Sequence, residues 1–223
     1  MTYNSLEEAI ADPLFARTDL DLRRGRHIGA DYDPSIYDFI SSAKPLLDRF
    51  YAGYQMTLLG REEGYFYLLP SRLATPPPLG RRHLSAMDML VGQTLALMSL
   101  DPKWLESNLR IPDKAVLARL EQILGEEALL RLVPRRRGSN IDQDARKLRE
   151  AFAASLRSLE RQCFIKREGR GEAGVLKPLT AIIRFADPVR TSSDLNMALE
   201  RLVAEGQISE GDEGDTELDT EKD

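Results

Sequence analysis

Apolar residues in this chain recur at spacings of three and four over long stretches, interrupted twice by short runs of β-formers set between turn residues. Residues 5–22 read as one or two short helices. Ser5 is placed to cap the first, with Glu8 three residues on in capping-box spacing, and Pro13 starts the next segment. His27 and Ile28, bracketed by Gly25 and Gly29, suit a short strand. Asp33 followed by Pro34 opens a helix whose apolar face is Ile36, Phe39, Ile40 and Ala43, then Leu46, Leu47, Phe50, Tyr51 and Tyr54. Pro45 lies inside that pattern and lacks an amide donor, so a break into two helices is expected there. Gln55–Gly60 and Gly64–Leu69 flank Arg61, Glu62 and Glu63 as a hairpin, which Pro70 ends.

Ala74–Gly80, with Pro76, Pro77 and Pro78, forms a stiff extended linker. Ser85 then caps a helix with Asp88 at its third position. From Met87 to Leu100 this helix is apolar almost all round, so it must be covered on every side, between two domains or two subunits. Asp113–Leu124 is a second amphipathic helix stopped by Gly125, and residues 141–162 form a third, with Leu148, Phe152, Leu156 and Leu159 as its core stripe. Cys163–Glu168 and Gly174–Lys177 pair around a Gly-rich tip, and a further helix is expected near Asp194–Ala204.

Helices followed by a hairpin, twice over, predict an α+β, mainly α-helical protein with tandem winged-helix domains. The boundaries read as 1–72 for the first domain, 73–84 for the linker, 85–206 for the second domain with its C-terminal helix, and 207–223 for a tail. The halves share architecture without a detectable sequence repeat.

Charge changes this picture. The net charge of −5 over 223 residues hides a segregation. Residues 131–190 hold fifteen Lys/Arg against seven Asp/Glu, whereas 207–223 hold eight acids and one lysine. A basic region is thus joined to an acidic tail that has almost nothing to bury and is expected to be disordered. One cysteine, Cys163, excludes an internal disulfide and fits a reducing cytoplasm. No apolar run is long enough to span a bilayer and the first residues do not form a signal peptide, so neither membrane nor secretion is expected.

Catalytic chemistry finds little support. His27 and His83 fall in different halves, and no Cys/His spacing makes a metal site. Neither a phosphate-binding Gly-rich loop with Lys and Ser/Thr nor a nucleophile-elbow serine is present. No enzyme, cofactor or metal is expected, and His27, beside two glycines, reads as structural.

The basic residues divide between a solvated surface and a nucleic-acid surface. Arg135, Arg136 and Arg137 occupy a loop that cannot bury three guanidinium groups. Lys147, Ala151, Ala154, Ser158 and Arg161 share one face of the long helix, small in the middle with cations at both ends. Lys166 and Arg167 at the strand end, and Arg170 in the wing, add charge where winged helices touch phosphate. Nothing there reads base edges, so contact with duplex DNA is expected to be to phosphates and non-specific. Phe50 and Phe66 belong to a core, and Tyr65 and Tyr67, on the other side of their strand, are candidates for a protein interface together with Met87, Leu90 and Leu97.

GRHIG at 25–29, FYAGY at 50–54, EGYFYL at 63–68 and SAMDMLVG at 85–92 resemble the MukE family, the winged-helix subunits of MukBEF bacterial condensins. The resemblance runs from about Asp12 to about Gly206. It implies a homodimeric scaffold in the cytoplasm, associated with the nucleoid, that binds the kleisin MukF and through it the SMC-type ATPase MukB, and helps hold DNA for chromosome condensation and segregation. The linker, the Gly169–Gly174 wing and the tail depart from the family pattern. The alternative is a winged-helix transcription regulator, which needs a recognition helix presenting base-reading side chains.

Overall fold

In the computed structural model, residues 3–71, 84–132, 141–169 and 174–186 are described. The Pro-rich linker up to His83, Arg135–Arg137, residues 170–173 of the expected wing tip, the helix expected near Asp194–Ala204 and the tail lie outside them.

The first half runs α1 (Leu6–Ala11), α2 (Phe15–Arg23), β1 (Ile28–Gly29), α3 (Pro34–Ala52), β2 (Met56–Arg61) and β3 (Tyr65–Pro70). Ser5 Oγ accepts from the Glu8 amide, and Asp33 accepts from the Ser35 and Ile36 amides, so both helix starts form where their capping residues stand. α3 is continuous through Pro45, contrary to the expected break. Pro45 is exposed, while Ile36, Phe39, Ile40, Ala43, Leu47 and Tyr51 are buried along one stripe spanning both sides of it. That shared anchorage offsets the roughly 3 kcal/mol a mid-helix proline costs.

The second half runs α4 (Ala86–Ser99), α5 (Pro102–Glu106), β4 (Ile111–Pro112), α6 (Asp113–Leu124), α7 (Glu126–Arg131), α8 (Ile141–Arg161), β5 (Ile165–Glu168), β6 (Val175–Pro178) and a 3-10 turn (Thr180–Phe185). Its sheet repeats the topology of the first. β1 pairs antiparallel with β3, which pairs with β2; likewise β4 pairs with β6, which pairs with β5. In each half a two-residue strand before the main helix adds a third member to the hairpin after it.

The apolar helix α4 is covered within this one chain. A capping box at Ser85 and Asp88 starts it, and α6, α8, β6 and the 3-10 turn pack around it. Met87 and Leu90 are buried, whereas Leu97 and Leu100 remain 37% and 48% exposed near its C-terminal end. A second subunit is therefore not required to bury most of this helix.

The halves are joined by bonds as well as by apolar contact. The His27 amide donates to the Gln162 carbonyl at 2.9 Å. Asp31 accepts from the Thr180 amide and hydroxyl at 2.6 and 3.0 Å, and its own carbonyl accepts from Lys166 Nζ at 2.6 Å. Tyr65 and Tyr67 share a hydrophobic cluster with Leu90, Phe164 and Phe185 of the second half.

Candidate nucleic-acid interface

α8 is the longest helix among the described residues and presents three distinct sides. Leu148, Phe152, Ser155, Leu156 and Leu159 face the core and are buried. Arg146, Arg149, Glu150, Arg157, Glu160 and Arg161 are exposed around the rest of the helix, with Arg149 bordering the core stripe. Lys147, Ala151 and Ser158 lie on the flank between.

The stripe expected from spacing is that flank, and it is only partly open. Ser158 Oγ donates to Asp88 Oδ2 at 3.2 Å, which ties its middle to the start of α4. Ala151 packs against the core, and Lys147 Nζ lies 3.9 Å from Asp144. Ala154 and Arg161 are exposed. The open cationic surface starts at Arg161, within that stripe, and continues round the helix to Arg157, about a quarter-turn from the stripe's centre, and Arg149, nearly a half-turn from it, at about 100° per residue; none of the three makes an ion pair among the described residues. Arg146 also stands there but is engaged with Glu150 at 2.9 Å. Arg146, Arg149 and Arg157 escaped the sequence reading because acids are interleaved with them. The signal for Arg146 and Arg157 is the arc opposite Leu148, Phe152 and Leu159; Arg149 borders that stripe and has none.

The remaining sequence candidates separate. Lys166 is committed to the Asp31 carbonyl, so its charge bridges the halves. Arg167 is half-buried on β5, next to Glu168, which holds Arg110 at 2.7 Å. Arg135, Arg136 and Arg137 lie outside the described residues. Tyr65 and Tyr67 are 1% and 6% exposed, and the surface they fill belongs to this chain's own second half, so neither is open to another protein. The pleat that lifts them off the first core delivers them to the second.

His27 lies in the same joint, its ring stacked on Tyr67 at 5.0 Å and against Phe164 at 4.2 Å. Burial, reinforced by the nearby Arg184 charge, holds its pKa well below the usual imidazole value. It is a neutral structural group. Among the described residues no cluster of His, Cys, Asp and Glu is placed to hold a metal, and no helix is long and apolar enough to cross a membrane.

The family model described as MukE-like matches residues 2–223. The chain belongs to the MukE-like family. It is 34% identical over 203 residues to the chromosome partition protein MukE of Vibrio cholerae, covering 91% of this chain and 85% of that one. To the chromosome partition protein MukE of Mannheimia succiniciproducens it is 33% identical over 207 residues, 93% of this chain and 84% of the other. To that of Escherichia coli K12 it is 33% identical over 202 residues, 91% and 84% respectively. This MukE-like chain thus carries its arginine arc on the helix that leads directly into its second hairpin.

Proposed function

We propose that this chain is a non-enzymatic, homodimeric scaffold subunit of an SMC–kleisin condensin that works in chromosome partition. The observation that carries the reading is family membership along nearly the whole chain, with relatives named chromosome partition proteins. The repeated strand order supports reading residues 1–72 and 85–206 as tandem winged helices, each a helical unit closed by a three-stranded sheet. In that reading α8 is the helix that precedes the wing, the usual nucleic-acid-facing position. The subunit binds the kleisin MukF and through it the ATPase MukB, in the cytoplasm at the nucleoid. Leu97 and Leu100 are exposed apolar ground for a partner.

DNA is held through phosphates, without sequence preference, by Arg149, Arg157 and Arg161, with Arg135, Arg136, Arg137, Lys147 and Arg167 extending the positive field. Such contact gives affinities of about 10⁻⁴–10⁻⁶ M at physiological salt, so the rest of the complex must keep DNA in place.

Recovery of the tagged chain from its native cytoplasm tests the scaffold: a kleisin and an SMC ATPase should co-purify, and their absence refutes it. Anisotropy with short duplexes tests the DNA contact. Log affinity should fall with log salt by roughly 0.9 per phosphate neutralised, and charge reversal at Arg149, Arg157 and Arg161 should shallow that slope. A strong preferred sequence favours a transcription regulator instead.

A further inference from the structure

We propose that the acidic segment 207–223 docks on the arginine arc of α8 and competes there with nucleic acid. The contact stands on the observations below; its role as a competitor rests on the DNA reading above.

The arc offers Arg149, Arg157 and Arg161 without ion pairs among the described residues, spread over about 18 Å of helix at 1.5 Å per residue. The segment 207–223 supplies eight carboxylates and one lysine on seventeen residues. Charge complementarity on this scale needs no defined geometry, because each guanidinium can donate to a carboxylate of whichever residue reaches it.

The chain also leaves the described structure at the right place. Phe185, one residue before that point, meets Phe164 at 4.7 Å between ring centroids, and Phe164 follows the last residue of α8 by three positions. Twenty residues separate Ala186 from residue 207. At about 3.3–3.6 Å per residue they span at most ~70 Å, against roughly 32 Å for the whole of α8. Every arginine of the arc is within reach. Tethering turns a weak encounter into an intramolecular one at an effective concentration on the order of millimolar. Duplex DNA carries a denser line of charge and displaces the segment; salt weakens both contacts.

Two measurements on the full chain test this. In the first, Arg157→Lys and Arg161→Lys keep the charges but add coupling sites, and zero-length carbodiimide coupling without DNA is mapped by mass spectrometry. Links from residues 157 and 161 to acids of 207–223 within one chain are expected at low salt and should be lost on adding a short duplex. Links only to other acids, or only to a second copy, overturn the contact. In the second, anisotropy compares the chain with one whose eight tail acids are replaced by Asn and Gln. The amide form should bind duplex several-fold tighter, and the gain should vanish when Arg149, Arg157 and Arg161 are also changed to Gln. Equal measurable affinities, or a gain that survives those changes, overturn the competition. If links form while neither protein binds duplex, the contact stands and the DNA reading falls.

Discussion

The guanidinium of Arg184 donates to Nε2 of His27, a residue 157 positions earlier in the chain. Arginine has no lone pair to offer, so Nε2 must be the accepting nitrogen. The other ring nitrogen, Nδ1, faces the Gln162 carbonyl at 3.3 Å, which can only accept. Together these neighbours select one neutral tautomer, with the proton on Nδ1, and leave no place for a second proton. Arg184 also lies 4.2 Å above the Tyr67 ring, so the same cation caps the aromatic stack.

A pH dependence follows. The folded His27 pKa lies below the unfolded value of about 6.5, so the two states differ in protons bound only below pH 6.5. Stability is then full above that pH and falls by about 1.4 kcal/mol per unit as pH drops through 6.5 toward the folded pKa. Urea unfolding between pH 7.5 and 5 should show this slope in the natural chain. The His27→Gln variant should start less stable and lose less over the same range; parallel slopes in the two proteins refute the assignment.

Gly92 should not tolerate a methyl group. A Cβ there would stand 2.6 Å from two ring carbons of Phe185, and the ring is 3% exposed and cannot swing aside. Gly92→Ala raises helix propensity by about 1 kcal/mol, but overpacking costs about 1–3 kcal/mol, so a net loss is expected. Thermal unfolding should show a Tm lower by several degrees; an unchanged or raised Tm means the 3-10 turn gives way.

Cys163 should be chemically silent. It follows α8 with φ of +62°, its amide bonded to the Glu160 carbonyl and the next amide, of Phe164, to that of Leu159. This is a Schellman ending with cysteine where glycine is usual. Burial pushes its thiol up to about 11. A thiol-disulfide reagent at pH 7.5 should label the native protein no faster than it unfolds; prompt labelling indicates that the joint opens locally.

The oligomeric state needs a new footing, since α4 is largely covered inside one chain. Light scattering at micromolar concentration should give twice 25.1 kDa, and Leu97→Glu with Leu100→Glu should shift the natural chain toward the monomer if the exposed end of α4 is the contact. A monomeric natural chain refutes the homodimer.

Local features were the legible ones. Asp33 with Pro34, Ser85 with Asp88 and Gly125 mark helix ends by bonds to their own neighbours, so a short window of sequence contains the cause. The two hairpins and the buried stripe of α8 follow from periodicity. What stayed hidden depends on distant partners. β4 is two residues that become a strand only because β6 arrives beside them. α5 has five residues and no buried stripe. Pro45 is tolerated because the core grips α3 on both sides of it. Of the open arc of α8, spacing finds Arg161 but not Arg157 or Arg149, because spacing defines a face without saying which neighbour covers it.

The placing of Tyr65 and Tyr67 also has a consequence during synthesis. Their strand leaves the ribosome well before Phe164 and Arg184, the groups that shelter them, have been made. At about 5–20 residues per second the delay is roughly 5–19 s for Phe164 and roughly 6–23 s for Arg184. For that interval the second-half groups that cover Tyr65 and Tyr67 in the folded chain do not yet exist.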